Sequence, residues 1–219
     1  MAADGRLSSL PGVGMRTALR THLRSMTADD ITQVVEIERE SFPSMWPQTA
    51  YRRELQNKLA RYIVLAEPAD PDAPNPARPG AIRNALRRIV GPPAGTQEHL
   101  LGFIGVWMMA GEAHIVTVAV REARRRMGIG ERLLIACIEL AMDAGQELVT
   151  LEVRKSNEGA QRLYEKYGFQ RVGLRVRYYT DNNEDAVLMT TPDLTTASYV
   201  GLFERLRDEH RARYPDLSG

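Results

Sequence analysis

A basic, glycine-containing stretch at residues 124–131 indicates chemistry most directly. It reads Arg-Arg-Arg-Met-Gly-Ile-Gly-Glu and joins an apolar segment ending at Val120 to a segment with helical periodicity. Glycines let the backbone approach a ligand, and the free amides at a helix start favour anions. The stretch therefore predicts a pyrophosphate site, and the alternative is a tight, solvated basic turn. It is neither a P-loop, since it lacks the Gly-Lys-Ser/Thr ending, nor a dinucleotide fingerprint with three spaced glycines.

The elements around this stretch alternate between strands and helices. Two predicted strands precede it and meet at a hairpin-like turn, Ala110-Gly111. After it, the apolar periodicity predicts a helix, a strand, a second helix and a final strand pair. In chain order these segments span 100–109, 114–120, 131–144, 148–153, 156–167, 169–179 and 184–189.

The N-terminal half supplies the rest of the domain. We expect a strand over 19–26, a helix that ends near Ser41, a second helix from Pro47 with Tyr51, Leu55 and Leu59 on one face, and a strand over 62–66. The order β-α-α-β, an insert and then β-β-α-β-α-β-β predicts an α/β (α+β) domain with local hairpins.

Proline content marks the insert. Seven of the twelve prolines lie between Pro68 and Pro93, so we place an insert at 67–98. Within it, residues 82–89 have the spacing of a short basic amphipathic helix. That helix either docks on the parent domain or contacts RNA or another protein. We expect a mobile arm over 1–18, the main domain over 19–192 and a C-terminal helical extension over 193–219.

Composition excludes several classes of protein. The net charge is 29 − 28 = +1, which excludes holding nucleic acid by bulk charge, and we expect no direct DNA binding. The single cysteine, Cys137, excludes an internal disulfide and a cysteine-based zinc site, and with four histidines we expect no bound metal. The longest apolar run, 100–111, is too short to span a membrane. We see no signal peptide, and we expect a cytoplasmic protein.

Several linked motifs resemble a known family. Arg125-x-x-Gly128-x-Gly130, after Thr117-Val118-Ala119-Val120, resembles the acetyl-CoA loop of the GNAT N-acetyltransferases. The second half resembles the bacterial ribosomal-protein-alanine N-acetyltransferases. The match there runs through Leu151-Glu152-Val153-Arg154-x-Ser156-Asn157, Ala160, Leu163-Tyr164, Gly168-Phe169, Gly173-x-Arg175-x-x-Tyr178-Tyr179 and Glu184-Asp185-Ala186. The resemblance implies a GNAT fold: a mixed, mostly antiparallel central sheet flanked by helices, with acetyl-CoA held at a splayed strand pair.

The resemblance also implies which residues meet the acetyl-CoA cosubstrate. The backbone of Val118, Ala119 and Val120 would lie beside the pantetheine arm, and an amide there would stabilise the developing oxyanion. The pyrophosphate would be held by the basic stretch, that is by Arg125, Arg126, Met127, Gly128, Ile129, Gly130 and Glu131. Asn157 would contact the cosubstrate, or it is simply a helix cap; both can hold together.

The implied chemistry is proton transfer around an attacking amine. Glu152 is at the family's base position, on the more polar face of its strand; the alternative is a solvated residue paired with Arg154. Tyr164 is the matching acid, or else a core aromatic residue with a wet hydroxyl. Cys137 lies on an apolar helix stripe, so we expect a buried residue and not a nucleophile.

Aromatic residues are the candidates for binding the acceptor. By resemblance, Phe42, Pro43 and Trp46 line one side of a peptide groove and Tyr178 and Tyr179 the other, although each could be ordinary packing. Arg175 and Arg177 solvate a strand or assist the approach to a ribosomal protein or rRNA.

The implied reaction is direct transfer, in a ternary complex, to the N-terminal α-amine of a protein. By resemblance the substrate is the N-terminal alanine of a small-subunit ribosomal protein. A broader N-terminal or lysine acetyltransferase, and a non-catalytic CoA-binding module, are the alternatives.

Overall fold

Seven strands form one sheet in the computed structural model, which describes residues 21–43, 47–68 and 98–217. In chain order they are β1 (His22–Ser25), β2 (Ala60–Pro68), β3 (Glu98–Met109), β4 (Glu112–Val120), β5 (Leu148–Arg154), β6 (Gln170–Tyr179) and β7 (Glu184–Thr190). They lie in the order β1-β2-β3-β4-β5-β7-β6, and every neighbouring pair is antiparallel except β4 and β5. The predicted mixed, mostly antiparallel sheet is confirmed.

Helices cover both faces of this sheet. They are α1 (Ile31–Ser41), α2 (Gln48–Glu54), α3 (Ile129–Asp143), α4 (Glu158–Lys166) and α5 (Ala197–Arg213). One apolar cluster joins α1 and α2 to β2 and β3, and a second joins α3, α4 and α5 to the sheet. Each helix contributes an apolar stripe to its cluster, so burial of these stripes fixes the helices against the strands.

The C-terminal helix is part of the second cluster. Tyr199, Phe203 and Leu206 of α5 are each at most 4% exposed and pack with α3 and α4. The Tyr199 hydroxyl donates to the carbonyl of Tyr167 (3.2 Å). Residues that follow the predicted main domain thus belong to the same core.

The second helix is shorter than its apolar spacing predicts. α2 ends at Glu54, and Tyr51 is buried, but Leu59 is 54% exposed. The chain turns instead, and the side-chain oxygen of Asn57 accepts the Leu59 N–H (3.0 Å). The prediction that Leu59 shares the buried face of a helix was therefore wrong, because an Asn side chain competes with helical hydrogen bonds.

Some predicted features lie outside the described residues. They are the N-terminal arm, most of the insert with its basic helix, and Trp46. Among the helices that the structure does describe, none is long and apolar enough to cross a membrane.

Candidate active site

The two parallel strands diverge and open a gap in the sheet. β4 and β5 are paired at four positions, from Glu112 opposite Leu148 to Ile115 opposite Leu151. Beyond these, β4 continues along β3 alone and β5 along β7 alone. The point of separation coincides with a bulge in β4, where Val116 is an extra residue relative to β3. Backbone groups on the facing edges are therefore available to a bound molecule.

Beyond the bulge, the amides of β4 alternate between β3 and the gap. The Arg121 N–H donates to the carbonyl of Leu101 on β3 (2.9 Å). In an antiparallel ladder, the N–H groups of Val120 and Val118 then point away from β3. Ala119 is bonded to β3 instead. Of the three residues that the family resemblance predicts beside the pantetheine arm, two present amides to the gap.

The loop before α3 forms a cradle of backbone N–H groups, residues 126–131. Arg126 and Gly128 have left-handed backbone, with φ of 64° and 82°, and the helix begins at Ile129. Along the chain from residue 126, the first backbone N–H with a hydrogen-bond partner is that of Arg132, which donates to the Gly128 carbonyl (2.9 Å). Within the described parts of the chain, the N–H groups of residues 126–131 meet no hydrogen-bond acceptor. A run of free donors at the positive end of a helix fits a pyrophosphate.

The arginines before α3 have different partners. Arg124 pairs with Glu67 (2.7 Å), and Arg125 donates to the backbone carbonyl of Glu40 at the end of α1 (2.6 Å). Arg126 is exposed. Arg125 therefore anchors the loop to α1, whereas Arg126 has its side chain in solvent beside the cradle.

The other side chains of this stretch do not face the cradle. Met127 is 41% exposed and Ile129 is buried in the core. The Glu131 carboxylate accepts the Tyr167 hydroxyl (2.8 Å) and pairs with Lys166 (2.6 Å). What these residues offer to the cradle is their backbone N–H groups.

Glu152 is a buried carboxylate at the gap with two basic side chains beside it. It is the first residue of β5 beyond the section paired with β4, and its side chain is 6% exposed. One carboxylate oxygen, Oε1, lies 2.8 Å from Arg175 Nη2, and the other, Oε2, lies 3.0 Å from His114 Nε2. Buried charge needs such partners, because desolvation alone strongly disfavours it.

The alternative expectation for Glu152 was wrong. Arg154 pairs with Asp181 (2.8 Å) and Glu184 (3.2 Å), not with Glu152, and Glu152 is not solvated. The predicted alternation of β5 is confirmed, since residues 149, 151 and 153 are buried on the opposite face.

His114 extends this group to a second carboxylate. Its Nδ1 lies 2.8 Å from Thr150 Oγ1, and the Thr150 hydroxyl donates to Glu112. A carboxylate only accepts, so Nε2 donates to Glu152. His114 thus links Glu152 to Thr150 and, through Thr150, to Glu112.

His114 was not among the site residues predicted from the sequence. β4 and β5 place His114 directly opposite Thr150, two residues before Glu152. A period of two in both strands puts all three side chains on one face. The available signal was a lone histidine in the strand preceding the basic loop, but only the parallel register brings it to Glu152.

Tyr164 is part of the core cluster that α3, α4 and α5 form against the sheet. It is 6% exposed, and its ring packs against Phe169 with 5.6 Å between centroids. Burial, with the nearby Tyr179 and Cys137, raises the pKa of Tyr164 above its usual range. Tyr164 therefore remains a proton donor at any physiological pH.

Cys137 does not have the surroundings of a nucleophile. It is fully buried on α3, and burial raises the pKa of its thiol to about 12. Among the residues described, no group of three or more His, Cys, Asp or Glu side chains could hold a metal ion.

The aromatic candidates differ in exposure. Phe42 is half-buried against the α1–α2 cluster, and Pro43 is exposed. Tyr178 is 45% exposed, whereas the Tyr179 ring lies under the Arg154 guanidinium (3.9 Å) and its hydroxyl donates to the carbonyl of Glu152 (3.4 Å). Tyr179 thus holds β5 through its hydroxyl, and Tyr178 is the more exposed of the two tyrosines.

Asn157 acts as the cap of α4. Its Oδ1 accepts the Ala160 N–H (3.1 Å), and the residue is exposed. The helix-cap alternative is confirmed, and the side-chain NH₂ group remains on the surface.

Comparison with known proteins agrees with this geometry. The profile of the Acetyltransferase (GNAT) family matches residues 31–169. A putative [ribosomal protein bS18]-alanine N-acetyltransferase of Bacillus subtilis is 33% identical over 168 residues, 76% of this chain and 92% of that protein. The N-alpha-acetyltransferase RimI of Mycobacterium tuberculosis is 32% identical over 171 residues, 75% of this chain and 88% of the relative.

A solved structure shares the fold. The ribosomal-protein-S18-alanine N-acetyltransferase of Escherichia coli superimposes with a TM-score of 0.60 at 24% identity, covering 79% of this chain and 94% of that one.

The chain belongs to the acetyltransferase (GNAT) family. It is an acyltransferase, and acetyl-CoA is its acyl donor. The resemblance identified from the sequence motifs is therefore confirmed.

Proposed function

We propose that this protein transfers acetyl from acetyl-CoA to the N-terminal α-amino group of a protein, by direct transfer in a ternary complex. The proposed substrate is the N-terminal alanine of a small-subunit ribosomal protein. The observation that carries the proposal is the buried Glu152 carboxylate at the gap between β4 and β5. The names of the relatives from Bacillus subtilis and Mycobacterium tuberculosis support the α-amine as acceptor.

Acetyl-CoA supplies the acetyl group, and the chain provides its binding groups. The N–H groups of residues 126–131 would hold the pyrophosphate, and Arg126 would add charge. The amides of Val118 and Val120 face the gap, where a carbonyl oxygen that develops negative charge needs a donor. Asn157 would contact the donor through its free NH₂ group. Together these groups would hold the thioester between β4 and β5.

The amine must lose a proton before it attacks. An α-amino group has a reference pKa of about 8, so near neutral pH most of it arrives as ammonium. Glu152 would take that proton, directly or through a water. A new C–N bond forms and the C–S bond breaks, with its electron pair leaving on the sulfur. The nitrogen releases its second proton to solvent as it becomes the amide.

Arg175 is the partner that the ammonium would replace. Its side chain is 54% exposed, whereas His114 is 18% exposed and also bonded to Thr150. A substrate ammonium at Oε1 would restore the positive charge that leaves with the guanidinium. His114 would meanwhile keep Oε2 in place, so the carboxylate keeps one orientation through the exchange.

Tyr164 would protonate the leaving sulfur. Its raised pKa keeps the phenol protonated, and its burial separates it from the bulk solvent. A phenol is a suitable donor to a thiolate.

The acceptor peptide would enter between the ends of α1 and β6. The Ser41 hydroxyl lies 3.5 Å from the Val120 carbonyl, so the segment after α1 reaches the mouth of the gap. Phe42, Pro43 and Trp46 would line that side of the groove. Tyr178 would line the other, and Tyr179 would support it by holding β5. A groove of aromatics suits an extended chain end with a small first residue.

A mass-spectrometric acetylation assay tests this function. The acceptors are short peptides starting with Ala-Arg, Met or Ser, and one with a blocked N-terminus and free lysines. Acetylation of the free alanine peptide alone is the expected result. Acetylation of all the free N-termini or of lysines would overturn the proposed substrate but leave the proposed acetyl transfer standing. CoA binding without acetylation of any peptide would overturn the proposal that the protein is catalytic.

A further inference from the structure

His210, near the end of α5, contacts Gly128, the glycine with left-handed backbone in the amide cradle. The His210 ring nitrogen Nε2 lies 3.0 Å from the Gly128 carbonyl oxygen, and His210 is 3% exposed. A carbonyl only accepts, so Nε2 carries the proton and donates. The neighbouring ring of Tyr214 packs so closely that a Cβ at residue 128 would lie 2.7 Å from it. A side chain at residue 128 is thus excluded twice, by this ring and by the left-handed φ.

Fixing this carbonyl also fixes a donor of the cradle. The C=O of Gly128 and the N–H of Ile129 belong to one planar trans peptide, in which they point in opposite directions. His210 holds the C=O towards α5, so the Ile129 N–H must point away from α5 and into the cradle. Donation to the C=O also polarises the peptide, which makes its N–H a stronger donor.

The same C-terminal segment holds the first turn of α3 at a second point. The Arg132 Nε donates to the carbonyl of Leu217 (3.1 Å), and Arg132 is itself the residue whose N–H closes the first turn onto Gly128. Burial keeps the pKa of His210 below its ordinary value, so the ring is neutral near pH 7. Its hydrogen bond therefore acts through position and polarisation and not through charge.

We infer that His210 is a positioning residue for acetyl-CoA: it orients the Gly128–Ile129 peptide for the pyrophosphate. This inference rests on the acetyl-CoA site of the proposed function. Replacement of His210 by Phe keeps a ring in the core and removes the donor. His210→Gln keeps an N–H donor.

The experiment measures steady-state kinetics with two acyl donors. One is acetyl-CoA, and the other is acetyl-pantetheine, which has no pyrophosphate. For His210→Phe we expect KM for acetyl-CoA to rise about tenfold, the loss of about one polarised hydrogen bond. We expect kcat at saturating acetyl-CoA, and kcat/KM for acetyl-pantetheine, to stay as in the wild type. His210→Gln should have a KM for acetyl-CoA close to that of the wild type, because it keeps an N–H donor.

Two results would overturn the inference. One is an unchanged KM for acetyl-CoA in a folded His210→Phe variant. The other is an equal loss with both donors, which indicates a merely structural role. Should this variant fail to fold, nitrogen NMR of wild-type His210 decides: a shift of Nε2 on saturation with CoA supports the inference, and no shift overturns it.

A loop variant separates this inference from the donor site itself. Gly130→Val adds a branched side chain to a residue of the cradle itself, where the described neighbour of a Cβ is the Val120 side chain at 3.7 Å. Weak CoA binding in Gly130→Val with normal binding in His210→Phe overturns the role of His210 alone. Normal CoA binding in Gly130→Val overturns the donor site.

Discussion

The guanidinium of Arg175 lies 2.8 Å from the Glu152 carboxylate, although the arginine side chain is 54% exposed and the carboxylate only 6%. A surface cation thus neutralises a buried anion from the edge strand of the sheet. The pair joins β6 to β5 across β7, so Arg175 reaches the site over a neighbouring strand. A partner held from the solvent side can leave without disturbing the core, which is what an exchangeable counter-ion requires.

Arg175→Gln should lower the KM for the acceptor peptide about three- to tenfold, because the substrate ammonium no longer competes with a guanidinium. The effect should shrink as salt screens the competing charge. Peptide KM at two ionic strengths measures this. Arg171→Gln on the same strand is the matched control, since Arg171 pairs with the exposed Glu165. A raised peptide KM in Arg175→Gln would show that Arg175 binds the substrate instead.

Glu152→Gln should lower kcat about 10²- to 10⁴-fold, the usual contribution of a general base. The loss should be largest below the pKa of the amine, about 8, and smaller above it, where free amine is already present. A pH–rate profile checks this, with acetyl-CoA binding expected to be unchanged. Glu165→Gln, at a carboxylate remote from the gap, is the control. Equal loss at every pH would contradict the base role.

Tyr164→Phe should slow the chemical step at least tenfold and leave the thermal midpoint close to that of the wild type. Within the described structure the Tyr164 hydroxyl has no hydrogen bond whose loss would destabilise the fold. Tyr199→Phe is the opposite case: it loses a buried bond to Tyr167, about 1 kcal/mol, and should keep the rate. Single-turnover rates and thermal unfolding of both variants distinguish the roles. A normal rate in Tyr164→Phe would leave it a core residue.

Gly130→Ala should stabilise the protein and weaken acetyl-CoA binding at the same time. Gly130 is helical, and a Cβ there would make only an ordinary contact with Val120 at 3.7 Å, so alanine gains about 0.5–1 kcal/mol. The same methyl group is added to a residue of the cradle itself. Gly201→Ala, a helical glycine of α5 with nothing within 4 Å, should give the same stabilisation and unchanged binding. Denaturant unfolding and calorimetry measure the two effects. Tight acetyl-CoA binding in Gly130→Ala would place the pyrophosphate elsewhere.

Periodicity and turn residues predicted the order of elements because these signals are local. The alternation around Glu152 and the glycine-containing start of α3 needed no distant contact. The predicted extent of α2 was wrong because an apolar pattern does not show the competing hydrogen bond from the Leu59 N–H to the Asn57 side chain. Neither the pairing of Glu152 with Arg175 nor the contact of His210 with Gly128 follows from spacing. Each joins residues 23 or more positions apart through the tertiary fold.

The strand divergence makes the sheet two half-sheets, β1–β4 and β5–β7, joined by four residue pairs. Helix α3 packs against strands of both halves. The width of the gap between β4 and β5, where we propose that the thioester lies, therefore depends on the size of buried α3 side chains as well as on the residues that line the gap. Leu134 and Ile138 are both at most 1% exposed. A conservative change at either residue would alter the distance between the two half-sheets, and with it the selectivity for the acyl donor, without touching the lining of the gap.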